Sequence, residues 1–450
     1  MSSHKIDMTS GPLVPKLLSF AIPLIFSGML QQSFVAVDVA MVGRFSTSQA
    51  LAAVGSNGPL VNLLVNLFVG ISIGANVVIA NYIGSRNQQG IRKAVSTTAT
   101  LAVASGVALL VIGLIMSRPI LMWMSTPDDV IDLATEYLSI YFLGMPLMMI
   151  YNFGAAILRS MGDTKRPLYA LMAAGLLNMI LDFLFTGVMG MGVKGVAIAT
   201  VTSIAINAGC VVWWLTHEEE PYRLSIKHMT VHAAEMKKML QIGLPAGVQG
   251  MIFSFANIFI QSAVNSFGSD AMAGSSAALT YEAYCYFIVA AFAQATTAFV
   301  SQNYGAGKFS RCRAVVSRSM CLSVGMMIVA TGIIGLNAER CLTLFTTDPA
   351  VMPWGVERIH CVLIFQAIAC SYEISGSAMR GLGNSLTPML LTVFGTCIIR
   401  LLWIFIVVNR YHSFEILFII YPISWAATGI MVYIAYRRMG ARCLSPTPAP

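Results

Sequence analysis

Charge is what this sequence lacks most. Only 10% of its 450 residues are Asp, Glu, Lys or Arg, while 57% are hydrophobic. An ordinary soluble domain carries about a quarter charged residues, so this balance excludes that class. Cysteine motifs are missing too. Nine cysteines form no C-x-x-C pair and no metal-type Cys/His cluster, and most sit in apolar runs where a thiol acts as a small hydrophobe. Neither a disulfide framework nor a metal site is expected. No G-x-x-x-x-G-K-[ST] phosphate loop is present, so nucleotide hydrolysis is not expected to supply energy. The N-terminal stretch MSSHKIDMTSGPLVPK is short and polar and has no small-residue cleavage site, so the first apolar run is expected to be a retained helix.

What is present in abundance is the apolar run long enough to cross a bilayer. Such runs recur along almost the whole chain, each near the roughly 20 residues a membrane helix needs. Twelve spans are predicted, at 17–42, 51–82, 93–116, 132–157, 167–187, 192–215, 239–265, 272–302, 313–336, 355–378, 388–408 and 414–436. A β-barrel would instead show short alternating segments. The fold class is therefore an all-α, polytopic membrane protein. The longest polar connection, 216–238, falls halfway along and is read as a linker. It leaves an N-terminal six-helix bundle over 1–215, a C-terminal one over 239–436 and a tail over 437–450. The linker's 222–240 stretch reads as a surface helix joining the halves. Twenty of the 27 Lys and Arg residues lie on the side that holds both termini. The positive-inside rule then predicts cytoplasmic termini in a cell (inner or plasma) membrane. Those loops also explain the net charge of +8, so no nucleic-acid partner is invoked.

The two halves repeat. KLLSFAIPLIFSGML (16–30) aligns with KMLQIGLPAGVQGMI (238–252), RSMGDTKRP (159–167) with RGLGNSLTP (380–388), and NYIG (81–84) with NYG (303–305). The offset holds at 221 to 222 residues. Six spans separate the copies, so both halves run in the same direction through the membrane, an arrangement of transporters that rock about a central cleft. In Arg-x-x-Gly-(Asp/Asn) followed by Pro, Gly ends one helix, Pro opens the next, and Arg is expected to face the aqueous surface.

Four acidic residues fall inside spans: Asp38, Asp182, Glu282 and Glu373. A charge at mid-bilayer costs at least about 2.5–3.5 kcal/mol, which makes each a functional candidate. Asp38 lies ~30 Å along span 1 and Asp182 ~22 Å along span 5, at 1.5 Å per residue. Both therefore fall in the outer part of the N-terminal half. Asn178 is one helical turn from Asp182 on the same face, and Thr200 or Thr202 on span 6 reach a similar depth. Such a group suits a proton or a bare cation; the bland alternative is that each aspartate caps or bonds a neighbouring helix. Glu282 and Arg400 lie at similar depths on spans 8 and 11, where an ion pair is one expectation and a snorkelled or cleft-exposed Arg400 the other. Glu373, near the terminal side of span 10, is a candidate for gating or for meeting a charged substrate. Pro23 and Pro245 each remove one helical hydrogen bond and read either as static kinks or as hinges. Most of the 28 methionines are expected to pack or face lipid, with some available to line a pocket for apolar cations.

The run QQSFVAVDVAMVGRFSTSQALAAVG, the duplicated Arg-Gly-Pro motif and the two six-helix halves resemble the multidrug and toxic compound extrusion (MATE) family over essentially the whole chain. The resemblance implies a V-shaped, twelve-helix secondary antiporter, not an enzyme. It would export cationic or amphipathic organic compounds in exchange for H⁺ or Na⁺, with no other cofactor and no obligate protein partner. In the DinF-like branch, an aspartate of the first helix, an Asn and Asp one turn apart on the fifth, and a threonine of the sixth form the coupling site. Asp38, Asn178 and Asp182 match that order, with Thr200 or Thr202 as the fourth. The NorM-like branch uses acids in helices seven and ten; here span 7 offers only Asn257 and Gln261, and Glu373 is a partial match. Coupling in the N-terminal half is therefore favoured. A flippase for a lipid-linked saccharide is the rival transporter, although Arg400 is the only basic residue placed deep in a span. An intramembrane prenyl transferase or protease is the rival of another class, and no H-E-x-x-H supports it.

Overall fold

The computed structural model describes residues 5–56, 58–123, 126–226 and 229–443, and among them every regular element is helical. Eleven helices are long and apolar enough to cross a membrane, and a bent pair supplies a twelfth span. We label the spans α1 (Leu13–Phe45), α2 (Gly58–Gly84), α3 (Gln88–Trp123), α4 (Asp128–Leu143 with Met145–Ser160), α5 (Lys165–Val188) and α6 (Gly192–Thr216). Then come α7 (Ala233–Asn265), α8 (Ser269–Gly305), α9 (Phe309–Leu336), α10 (Met352–Gly381), α11 (Leu386–Tyr411) and α12 (Phe414–Cys443). A backbone in hydrocarbon must satisfy its own N–H and C=O groups, which is why the apolar runs close into helices. Large apolar side chains stay exposed along them, such as Ile115 on α3 and Val329 on α9, as lipid-facing positions require.

Several spans depart from straight α-helix. The two parts of α4 meet at Gly144 with a bend of 46°. Pro146 opens the second part, and its ring and missing N–H disrupt the bonding to the turn before it. The last turn of α5, Phe183–Val188, is π-helical, and so is Ile404–Val408 on α11, 221 residues further on. The repeat thus extends to backbone geometry. A short helix, Ser48–Ser56, precedes α2, and residue 57 between them lies outside the described residues. The linker is not a surface helix over 222–240. Its described residues up to 232 are largely irregular, and the helix that begins at Ala233 is already α7; Lys227 and His228 lie outside the described residues.

The chain divides into two compact units, one of residues 1–6 and 26–247 and one of residues 7–25 and 248–450. In the first, α2 packs on α3 and α4, α4 on α6, and α5 on α6; the second repeats this with α8 on α9 and α10, α10 on α12, and α11 on α12. The units change over inside α1 and α7, between Ile25 and Phe26 and between Gly247 and Val248. Each changeover lies within three residues of an intrahelical proline, Pro23 or Pro245.

Within the first unit α2 and α7 cross at backbone contact. Gly70 lies on the Gly247 backbone, Gly74 on the Met239 carbonyl, and Gly243 on Ile71, so a Cβ at any of these glycines would overlap main chain. Two G-x-x-x-G stripes face each other, the packing that small residues permit between membrane helices.

The duplicated motif builds the same corner twice. Gly162 (φ +89°) and Gly383 (φ +93°) turn the chain in the left-handed region. Asp163 Oδ1 accepts the N–H groups of Lys165 and Arg166, both at 3.1 Å, and Asn384 Oδ1 accepts that of Thr387 at 3.2 Å. The arginine differs from expectation. Arg380 is buried rather than surface-facing, donating from Nη2 to Gln249 Oε1 at 2.9 Å and from Nη1 to Ser377 Oγ at 3.3 Å. Near the first corner, Glu218 of the linker receives Lys5 at 2.6 Å and Arg166 at 2.5 Å. Burial pushes the Glu218 carboxyl up, but these two cations outweigh it and hold the group below its ordinary range.

Candidate functional site

Asp38 and Asp182 come together in the first unit. Asp38 sits on α1 with Val35 and Ala36 on its exposed flank, yet is itself only 8% exposed. Asp182 is fully buried at the junction where α5 passes from α-helix into its π-helical turn. The two carboxyls lie within hydrogen-bonding reach of each other. Thr200 of α6 donates its hydroxyl to Asp38 Oδ2 at 3.3 Å, sharing it with the Val196 carbonyl at 2.8 Å. Asn178, one turn before Asp182, is buried, and its Nδ2 has no acceptor. Asp38 Oδ1 and both Asp182 oxygens likewise find no donor. Two carboxylates at such range form a stable pair only with a proton between them or a cation across them. The arrangement is therefore suited to taking up a proton or a small cation.

The second threonine stands apart. Thr202 bonds back to the Ile198 carbonyl at 2.7 Å. Two residues along a helix point about 200° apart, so Thr200 and Thr202 cannot both face Asp38. Two further neighbours belong to the site and were not expected from the sequence. Tyr137 and Tyr141, on the first part of α4, stack with ring centroids 5.9 Å apart, and both lie in the field of Asp38. Their one-turn spacing was visible, but an aromatic pair in an apolar span carries no signal that separates it from core packing.

A wedge sets how closely α1 and α5 approach. Phe34, one turn before Asp38, lays its ring where a side chain at Gly175 would stand, and Gly175 precedes Asn178 by three residues on α5. Gly175→Ala is expected to push the two helices apart at the level of the aspartates. The overpacking should cost about 1–3 kcal/mol in thermal denaturation and weaken ion binding at the pair. Unchanged stability together with unchanged ion affinity would show that the wedge sets nothing.

The second unit has no matching acidic pair. The residue 221 on from Asp182 is Trp403, whose indole N–H donates to the Ile416 carbonyl at 2.8 Å, and that matching Asn178 is Ile399. Glu282 of α8 is paired, but not with Arg400. Arg358, in the first part of α10, grips it with two bonds, Nε to Oε1 at 2.6 Å and Nη2 to Oε2 at 3.0 Å, and donates from Nη1 to Ser275 Oγ at 2.5 Å. Arg358, three residues after the predicted start of span 10, is buried by the fold to 3% exposure. Arg400 instead donates from Nε to Ser424 at 2.9 Å and lies 3.9 Å from the Tyr421 ring centroid. It is buried, not snorkelled. Glu373 accepts from Tyr286 Oη at 3.3 Å and lies in the field of Arg380. Pro23 and Pro245 both lie inside continuous helices.

Two short matches to catalytic spacings lose that meaning in the fold. Gly70-Ile71-Ser72-Ile73-Gly74 has the G-x-S-x-G pattern, but it lies within unbroken α2, with Ser72 bonded to the Val69 carbonyl at 2.7 Å. A nucleophile elbow needs a strained strand-to-helix turn. Asp128-Asp129-Val130-Ile131-Asp132 has D-D-x-x-D spacing. Its three carboxylates are exposed at the start of α4, where Asp132 takes Arg118 at 2.9 Å, and among the described residues no cluster of three or more His, Cys, Asp or Glu side chains is arranged to hold a metal ion.

The comparisons agree with this architecture. The MatE family profile matches twice, over residues 23–184 and 245–406. The chain is 28% identical to the probable multidrug resistance protein YoeA of Bacillus subtilis, over 93% of this chain and 92% of that protein. It is 27% identical to a probable multidrug resistance protein NorM of Thermotoga maritima, over 88% and 86%. It is 25% identical to an FAD transporter of Shewanella oneidensis, over 77% of each. Among solved structures, a MATE protein in its bent conformation superposes with a TM-score of 0.90 at 21% identity, covering 97% of both chains. An outward-facing multidrug resistance MATE family transporter superposes at 0.91 with the same identity, covering 98% of this chain and 99% of that one. With both halves matched and twelve spans arranged in two repeats, the chain belongs to the MatE family of multi-pass membrane transporters.

Proposed function

We propose that the protein is a cation-coupled exporter of organic compounds, driven by H⁺ or Na⁺ entering at Asp38 and Asp182. The observation that carries this is the contact between two buried carboxyls, three of whose four oxygens lack a donor. In the outward-open state one ion neutralises the pair. The Asp38 and Asp182 segments then draw together, α1 repositions, and cargo leaves. On the cytoplasmic side the ion dissociates, and the pair returns charged and ready to accept the next ion from outside. Thr200 supplies a neutral ligand to Asp38, Asn178 a carboxamide one turn along, and Tyr137 and Tyr141 a low-dielectric wall. That whole set lies in the first unit, which supports the DinF-like branch over the NorM-like one. The excess of Lys and Arg on the terminal side supports cytoplasmic termini in a plasma or inner membrane. The cargo class, cationic or amphipathic, is supported by the multidrug names of the relatives.

Reconstituted protein tests this reading. Ethidium efflux from proteoliposomes is measured under an imposed pH gradient alone and under an imposed Na⁺ gradient alone. Stimulation is expected from one of them. Efflux indifferent to both, or dependent on internal ATP, would overturn the proposal.

A further inference from the structure

The second unit holds a positive charge that no side chain among the described residues neutralises. Arg400 is 5% exposed in the middle of α11, on the single α-helical stretch Ile399–Trp403 between two π-helical ones, Val393–Ile398 and Ile404–Val408. Wide turns of this kind are frequent at functional sites. Its guanidinium is faced by the rings of Tyr421 at 3.9 Å and Trp425 at 5.4 Å. Its one polar contact is Nε to Ser424, and Nη2 is buried without an acceptor. A guanidinium stays ionised in proteins, and among the described residues no carboxylate lies within ion-pair distance of this one. The nearby acids are engaged elsewhere. Glu282, which shares the field around Tyr421, is held in two bonds by Arg358; Glu373, which shares the field around Tyr372, accepts from Tyr286 and faces Arg380. Arg358 shows what a structural buried arginine looks like here, with Nε, Nη1 and Nη2 all engaged.

The repeat sharpens the contrast. Arg400 stands one residue beyond the position that matches Asn178 and three before the one that matches Asp182. Where the first unit concentrates negative charge, the second places a cation between aromatic rings with an N–H edge left over. We propose that Arg400 is an oxyanion site: it binds a carboxylate or phosphate group through the open edge of its guanidinium, with Tyr421 and Trp425 fixing the plane and Ser424 fixing the rotation. A planar fork suits these groups because it offers two parallel N–H donors. The anion is either a group on the transported molecule or the phosphate of an anionic bilayer lipid, one without a headgroup ammonium to neutralise it.

Equilibrium binding in nanodiscs tests this without any ion gradient, so its result is independent of the antiport reading. The probe is the fluorescent carboxylate dansylglycine, with its methyl ester as the uncharged control. Wild-type protein is expected to bind the acid saturably, and Arg400→Gln to weaken it roughly tenfold or more, the effect of losing a charge-assisted pair. Arg400→Lys should fall between them, and the ester should not distinguish the three. If Arg400→Gln fails to fold, Arg400→Lys and Ser424→Ala carry the comparison. Nanodiscs of phosphatidylglycerol and of phosphatidylcholine separate the two sources. Equal probe binding in both points to a group on the cargo. Probe displacement by phosphatidylglycerol, with an Arg400-dependent rise in Tm, points to lipid phosphate. Probe binding by Arg400→Gln equal to wild type, with no Arg400-dependent lipid effect, would overturn the site.

Discussion

Asp38→Asn is expected to leave a folded, correctly inserted protein that no longer couples efflux to an ion gradient. The carboxamide has the shape of the acid and brings its own N–H, so it can donate to Asp182 where a shared proton would otherwise be needed. Stability should hold or rise. Ion binding should not survive, because the variant removes one of two charges facing the ion in a desolvated site. Losing about 3 kcal/mol there corresponds to roughly 100-fold in affinity. Gradient-driven ethidium efflux should drop to the level of empty liposomes, while substrate binding without a gradient persists. Asp182→Asn should behave alike. Thr200→Ala should cost less, about tenfold in apparent ion affinity, since it removes one hydroxyl contact to a charged group. The idea fails if Asp38→Asn pumps at the wild-type rate, or if the loss traces to misfolding seen as a lowered Tm.

The second large effect concerns stability. Arg358→Ala strips Glu282 of two hydrogen bonds and its counter-charge while the carboxylate stays buried. Removing one partner of a buried pair costs about 3–5 kcal/mol. Glu282→Gln leaves the guanidinium buried instead and should cost a similar amount. The double variant Arg358→Met with Glu282→Leu removes both charges and should recover most of the loss. Thermal denaturation of the four proteins in nanodiscs compares each single loss with the stability of the double variant. A double variant no more stable than either single one would mean that the pair supplies more than mutual neutralisation.

How far the sequence reaches can be judged from these same residues. Asp38, Asn178 and Asp182 could be proposed as neighbours because depth along a span follows from residue count, and a one-turn spacing puts Asn178 and Asp182 on one face. Their separation across helices could not be known. Depth also misled. Glu282 and Arg400 share a level, but which way a helix faces is decided by packing on every side, and here the rotation of α10 brings Arg358 to the glutamate. Arg358 stands near the start of span 10, where snorkelling is ordinarily the cheaper outcome, so its position along the span gives no sign of burial. Arg380 shows the same limit: its motif is architectural, yet Gln249 and Ser377 give it a buried seat. The repeat was legible down to the corner glycines, because a left-handed turn admits few other residues. The crossing of α2 and α7 was not, since Gly70, Gly74, Gly243 and Gly247 look unremarkable in apolar sequence until they meet.

The changeover of α1 and α7 between units bears on how the chain is synthesised. Residues 7–25 are made before residues 26–247, yet the unit they complete consists otherwise of residues 248–450. The first unit likewise lacks residues 233–247 until the linker has been made, although its other spans end at Thr216. For much of translation the first half of α1 therefore lacks the rest of its unit, although it runs unbroken into the half that belongs to the first unit. It waits in the membrane while more than two hundred further residues are inserted. Neither half of the gene encodes a complete unit, so separately expressed halves would have to exchange helix ends before either could close.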